Sequence, residues 1–348
     1  MSAELLEDLR TTTRQVLSAG AGDVVDELDL VGLLVDSERG GLGLGDREMA
    51  LVATELGRAL SPSSFLPTAV LTATLLTHAD TEAAAEVLAA LIAGEIRCAV
   101  AVADADGSWV PLTPAVVATS APDGGWLLSG TSWGISTPSQ PDTTLTVAGI
   151  DDGAALFAVD GTHAEARSAD QLDSTRGLVE VVFSQSPARL LANPAATVRA
   201  ITMAYRRGLL AVGAEQLGVA RTCLETAVDY AKTRSQFGSP IGSFQAIKHR
   251  CADVLRDVEL ADAVLDQAVR SGVSADAELA FIVATRAALL AAESCIHIHG
   301  GIGFTWEHRA HRYFRRARVN ATLLGPSAVH REAIAASAGL TRASGTAR

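Results

Sequence analysis

Arg234-Ser235-Gln236-Phe237-Gly238-Ser239-Pro240-Ile241, followed closely by Phe244-Gln245-Ala246-Ile247-Lys248-His249, is the stretch whose reading decides the fold. Arg234 carries permanent positive charge and a fixed fork of donors, which suits a diphosphate. Phe237 offers a flat face that can cover an adenine, and Gly238 marks a place where the backbone can turn sharply. Alone, the five residues 234–238 fit an ordinary helix end equally well, because Arg and Gly are common there.

Working outward, residues 203–231 carry apolar side chains at steps of three and four through Leu210, Ala214, Leu217, Ala220 and Leu224. That spacing predicts a helix. Helical patterns return over 241–271, 275–299 and 327–336. Helices this long bury more than one face, which predicts a bundle that also packs against other subunits. The pattern over 275–299 ends in a second block, His297-Ile298-His299-Gly300-Gly301-Ile302-Gly303-Phe304-Thr305-Trp306-Glu307-His308. Gly300 and Gly301 let a backbone approach a phosphate that any Cβ would hold off. His297, His299, His308 and His311 invite a metal reading, but an i, i+2 pair does not share a helical face. No carboxylate or cysteine pattern completes a zinc set, so no metal site is expected.

Upstream, residues 3–19, 46–59 and 81–93 read as helices. The second follows the glycine-rich run Gly40-Gly41-Leu42-Gly43-Leu44-Gly45, with Asp46 as its expected N-cap. The third ends at Gly94, a C-cap residue. From Cys98 to about Leu191 the texture changes to short runs separated by Gly, Pro, Asp and Ser: 99–102, 115–118, 126–129, 143–147, 155–159 and 179–183. These predict a small β-barrel or sandwich, with Trp133 as barrel core. Asn193-Pro194 is a natural break, and the tail after Gly339 is small and polar. The expected units are 1–96, 97–192 and 193–348.

The chain's 348 residues suffice for a large core, and its net charge of −12 repels nucleic-acid phosphates. Charged residues are expected to interrupt every apolar run before it could span a bilayer, and the acidic N-terminus lacks the order of a signal peptide. Cys98, Cys223, Cys251 and Cys295 are scattered and form no CxxC pair. They read as small apolar side chains in a reducing compartment, so a cytoplasmic protein without a membrane partner is expected. Lys232 and Lys248 are the only lysines, which leaves little room for Schiff-base chemistry.

Together these stretches resemble the acyl-CoA dehydrogenase family. Glu38-Arg39-Gly40-Gly41-Leu42-Gly43-Leu44 resembles its N-terminal glycine loop, Glu55-Leu56-Gly57-Arg58-Ala59-Leu60 the helix after it, and Leu172-Asp173-Ser174-Thr175-Arg176 the end of its β-domain. The resemblance covers nearly the whole chain. It implies an α+β, mostly α fold, with an N-terminal helical domain, a middle β-barrel and a C-terminal helical bundle. It also implies FAD as cofactor and an acyl-CoA as substrate. Arg234, Gln236, Phe237, Phe244 and Gln245 would reach across a dimer interface to the ADP half of a neighbour's FAD. His297, Gly300 and Gly301 would serve the same FAD, His297 standing where the family usually has glutamine.

The reaction implied is α,β-dehydrogenation of the thioester: a carboxylate removes the α proton while the flavin takes the β hydride. The family's usual glutamate position is Leu324 here, within Leu323-Leu324-Gly325-Pro326. An alternative position on an earlier helix reads Tyr205-Arg206-Arg207, again without a carboxylate. Glu215 remains, two turns further on. It is either a base whose pKa burial raises or a structural carboxylate paired with arginine. The stretch 102–108 lacks the Thr-Glu pair that meets the flavin ring in active members, and Trp133-Gly134-Ile135-Ser136 matches the family's Trp-Ile-Thr only loosely.

Elements that serve a neighbour's FAD are thus kept, while those that serve this chain's own flavin ring and substrate are degraded. The resemblance narrows to the smaller subunits of actinobacterial heterotetramers that oxidise steroid side-chain CoA thioesters. In such an assembly a longer related subunit supplies the ring pocket and the glutamate. The competing readings are a homotetramer using Glu215, a flavin-free structural homologue, and a flavin oxidase or monooxygenase on the same fold.

Overall fold

The computed structural model describes residues 3–20, 22–104, 109, 114–122, 124–135, 141–168 and 171–340. The N-terminal part holds α1 (Ala3–Ala19), the short α2 (Val24–Glu27), α3 (Asp46–Ala59), α4 (Ala73–Ala79) and α5 (Glu82–Ile92). Gly45, not Asp46, caps α3, and its N–H donates to Glu48 Oε2 at 2.8 Å. Asp46 is the first helical residue and is drawn elsewhere, pairing with Arg206 at 2.6 Å and Arg207 at 3.1 Å. Thr81 caps α5, and Gly94 follows its last turn at φ +70°. A π-helical segment, Phe65–Thr72, leads into α4. Every residue of that segment is buried, so it has no polar face and gives no helical periodicity to read.

Seven strands follow among the described residues: β1 (Cys98–Ala103), β2 (Val117–Ser120), β3 (Trp126–Ile135), β4 (Thr143–Ile150), β5 (Gly153–Asp160), β6 (Glu165–Ser168) and β7 (Leu178–Ala192). Their pairings close on themselves. β1 pairs with β3, β3 with β7, β7 with β5, β5 with β4, and β4 returns to β1 in parallel. The closed circuit encloses a small core of Val116, Leu128, Phe157, Val159, Val181 and Phe183, with β6 left as an edge strand. The strand expected at 115–118 runs two residues later, as β2. β6 is exposed throughout and pairs only with β7, so it lacks the alternation that marks a half-buried strand. Trp133 is not barrel core. It packs outward against the main core of the molecule.

The C-terminal part contains α6 (Pro194–Thr233), the hairpin β8 (Ser235–Gln236) and β9 (Ser239–Pro240), α7 (Gln245–Ser271), α8 (Ser274–His299), α9 (Ala310–Asn320) and α10 (Ser327–Ser337). The break at Asn193-Pro194 is a helix start. Asn193 accepts a hydrogen bond from Ala196 N at 3.0 Å, and Pro194 occupies the first turn. α6 crosses α3 with backbones almost touching: a Cβ on Gly57 would sit 2.1 Å from Glu215 O, and one on Gly218 would sit 2.0 Å from Thr54 O.

The expectation that charge interrupts every apolar run fails at α8. By length and composition the helix running through Ser274–Phe304 could cross a membrane. It packs instead between α6 and α7, with 61% of its most apolar window buried in the fold, as a core helix does. Cys98, Cys223 and Cys295 are buried, Cys251 is half-buried, and all four are free thiols.

Candidate functional site

The arm begins where α6 stops. Arg234 caps the helix, its N–H donating to Tyr230 O at 2.8 Å. Phe237 and Gly238 form the two-residue turn between β8 and β9, with φ of +52° and +80°. Such turns favour Asn-Gly; a phenylalanine with left-handed φ costs on the order of 1 kcal/mol. Its ring gains nothing from this chain's core, being 92% exposed. Phe244, 40% exposed, meets it edge-to-face with ring centroids 6.1 Å apart. Gln236 and Gln245 are exposed beside them, and Arg234 forms no ion pair among the described residues. An exposed aromatic pair beside a free guanidinium fits a planar, anionic ligand better than it fits water.

The second block ends α8. Gly300 holds φ +63°, ψ −139°, a backbone reserved for glycine. Around both Gly300 and Gly301 a Cβ would meet nothing within 4 Å, so their backbone is open to an incoming group. His297 is exposed, whereas His299 is buried with Nδ1 2.7 Å from Cys295 O. His299 also stacks on Tyr230 of α6 at 4.3 Å. Since Tyr230 lies one turn before Arg234, this contact brings the ends of α6 and α8, and with them both blocks, to one end of the bundle. Among the described residues no group of His, Cys, Asp or Glu is arranged to hold a metal ion.

The base position is packed shut. Leu324 is 1% exposed. A Cβ on Gly208 would lie 3.2 Å from Leu324 Cδ1 and 3.1 Å from Leu71 Cδ2, so π-segment, α6 and loop interlock. At Glu215 the void among Phe65, Leu66 and Ala211 measures only about 10 Å³. Side chains to which the sequence reading gave no such part hold the loop backbone. Trp109 Nε1–H donates to Leu323 O at 3.0 Å, and Tyr205 O–H donates to Leu324 O at 3.3 Å. His330 Nε2 lies 3.1 Å from Gly325 O, while its Nδ1 lies 2.5 Å from Glu278 Oε2. His330 and Glu278 sit on α10 and α8, and their only sequence signal is a polar residue in an otherwise helical pattern.

Glu215 is not poised as a base. It is buried and accepts from Arg316 Nη1 at 2.6 Å and from Arg176 Nη2. Arg316 also reaches Asp173 and Thr175, and Arg176 reaches Asn320 at 2.8 Å. Burial pushes the Glu215 carboxyl up, but the two guanidiniums outweigh it and hold it below the usual carboxylate range. The shift is thus the one a carboxylate paired with arginine takes, not the upward one of a buried base. The cluster binds the loop before β7 to α6 and α9.

Between the barrel and the end of α9 lies a cleft of about 330 Å³, lined by Trp133, Trp109, Leu178 and Thr322. Residues 105–108 and Ser136, from the two stretches that depart from the flavin-ring pattern, lie outside the described residues, as does the tail beyond Leu340.

Residues 10–95 match the family model "Acyl-CoA dehydrogenase, N-terminal domain", and residues 198–339 match "Acyl-CoA dehydrogenase, C-terminal domain". The chain is 34% identical over 303 residues to the acyl-CoA dehydrogenase IpdE2 of Mycobacterium tuberculosis, covering 86% of this chain and 80% of that protein. Among solved structures it resembles the steroid ACAD Tcur3481–Tcur3483, with a TM-score of 0.84, 26% identity and coverage of 97% and 99%. It also shares its fold with a chain of the ChsE4–ChsE5 complex from Mycobacterium tuberculosis, with a TM-score of 0.84, 24% identity and 99% of each chain covered. A barrel between two helical parts, an outward-facing arm at the end of α6 and a relative matched along most of its length have one explanation: the chain belongs to the acyl-CoA dehydrogenase family.

Proposed function

We propose that this chain is the arm-donating subunit of an FAD-dependent acyl-CoA dehydrogenase, working in a heterotetramer with a longer related subunit. One contrast carries the reading: the Phe237–Phe244 pair is exposed, with Phe237 held at a strained φ, while Leu324 is packed against Gly208 and Leu71. FAD held there would supply the hydride acceptor for α,β-dehydrogenation of an acyl-CoA thioester. This chain's share is binding and orientation. Arg234 would take the diphosphate, Phe237 and Phe244 the adenine, Gln236, Gln245 and His297 hydrogen bonds to the ADP half, and Gly300-Gly301 a phosphate oxygen. Leu324 cannot accept a proton and Glu215 is fully engaged, so the base that takes the α proton belongs to the partner.

The similarity to IpdE2 and to a steroid ACAD supports a bulky steroid side-chain CoA thioester as substrate, and the ChsE4–ChsE5 complex supports pairing of unlike chains. We take 1–96, 97–192 and 193–348 as the domain units and the cytoplasm as the setting. The test is flavin absorbance of this chain alone and co-expressed with a longer acyl-CoA dehydrogenase encoded beside it. Little flavin alone, and about one FAD per pair of unlike chains in a co-purifying complex, is expected. Full occupancy alone, bleached by an acyl-CoA, would overturn it.

A further inference from the structure

The arginines of α9 and its cap stand apart in this acidic chain, whose net charge is −12. Many surface arginines elsewhere are matched, as in Arg39–Asp80, Arg97–Asp142, Arg189–Glu86 and Arg270–Asp266. Among the described residues Arg47, Arg199, Arg234 and Arg331 are not, but Arg309, Arg312 and Arg315 are unpaired with carboxylates and line one cleft together. On α9 only Arg316 pairs with carboxylates among the described residues. Arg309 hydrogen-bonds the Ala59 carbonyl. Among the described residues the guanidiniums of Arg312 and Arg315 meet only the ring of Trp306, whose centroid lies 5.8 Å and 4.8 Å from their guanidinium carbons.

These side chains border a cleft of about 290 Å³ that Ser174 also lines. At its back Asp173 is tied to Arg316 and Thr175, which cancels its repulsion of an anion. The front therefore carries an unbalanced positive field. Guanidiniums resting on a ring face keep in-plane N–H donors for a ligand, the geometry phosphate oxygens accept best. Trp306 is 66% exposed, an apolar surface left open beside those charges. None of these residues belongs to the arm at Arg234.

We propose that this cleft binds a phosphate-bearing ligand, with Arg312 and Arg315 on the phosphate and the Trp306 ring beside it. A nucleotide and free phosphate share that chemistry, and the test separates them. The full-length chain, alone and in its complex, is titrated with ADP and with inorganic pyrophosphate at low salt, by calorimetry and tryptophan fluorescence. Saturable binding is expected. It should weaken by roughly tenfold or more in Arg312→Ala/Arg315→Ala, since two charge-assisted contacts are lost, and hold in Arg234→Ala.

ADP binding more tightly than pyrophosphate would assign a nucleotide; equal binding would assign free phosphate. Either supports the site. No saturable binding, or binding lost in Arg234→Ala and kept in the double variant, overturns it. So does a double variant that no longer co-purifies with the second subunit, because the face would then be a protein interface. Arg234→Ala also separates this proposal from the arm reading, which predicts flavin loss in that variant alone.

Discussion

Glu215 is the residue on which the competing functional readings divide. Its carboxylate sits between Arg176 and Arg316, and truncating one partner of a buried ion pair leaves the others uncompensated. Glu215→Gln should therefore lower unfolding stability by about 3–5 kcal/mol in urea titrations near neutral pH. A catalytic base would give the opposite pattern, lost turnover with stability kept. The pH dependence follows from the directions of shift. Glu215 and Asp173 are both held below the usual carboxylate range, so the stability they add is present above that range and is lost as pH falls through their lowered values. The gap between wild type and Glu215→Gln should accordingly narrow as the solution is acidified below pH about 4. Leu324→Glu makes a complementary test. Restoring the family's residue type places a carboxylate against Leu71 and Gly208 at a position only 1% exposed, where water cannot solvate it. Reduced thermal stability without dehydrogenase activity of the chain alone is expected; activity would mean that the acyl position opens.

At the scale of elements, strain points the same way as exposure. The β8–β9 turn sets a phenylalanine where Asn or Gly would be relaxed. Phe237→Gly should leave the chain's melting temperature unchanged or slightly higher, because relief at the turn offsets the entropy glycine adds to the unfolded state. The same change should lower the flavin retained by the complex, read as the 450 nm absorbance per protein after gel filtration. A turn that matters only for folding would move the first readout and not the second. This element was legible in the sequence because its chemistry is local: Arg, Phe and Gly within five residues. Long amphipathic helices were legible for the same reason. The π-segment at Phe65–Thr72 was not, since burial on every side erases periodicity, and β6 was not, since exposure on every side does the same. Trp133 misled because a tryptophan among strands reads as barrel core, whereas only the closed topology reveals which face it leaves by.

For the molecule as a whole, what the sequence withheld is long-range. No spacing connects Trp109, Tyr205, Glu278 and His330, yet they converge on the 323–325 loop. Nor does any pattern reveal that Gly57 and Gly218 let α3 and α6 touch. One apolar core accordingly runs through α3, α4, α6 and α8, so the N-terminal and C-terminal helical parts share one core rather than two. Gly57→Ala tests this unity. The added Cβ would need the Glu215 backbone to retreat, and overpacking of this kind costs about 1–3 kcal/mol, more where backbone must move. If the parts are one cooperative unit, the variant should melt in a single transition at lower temperature by calorimetry. The exposed arm, anchored on the same α6, should then lose flavin in the complex as α6 shifts. Two separated transitions, with flavin retention unchanged, would mean that the arm's end of α6 is mechanically independent of the α3 crossing, and that the helical parts fold as separate bodies.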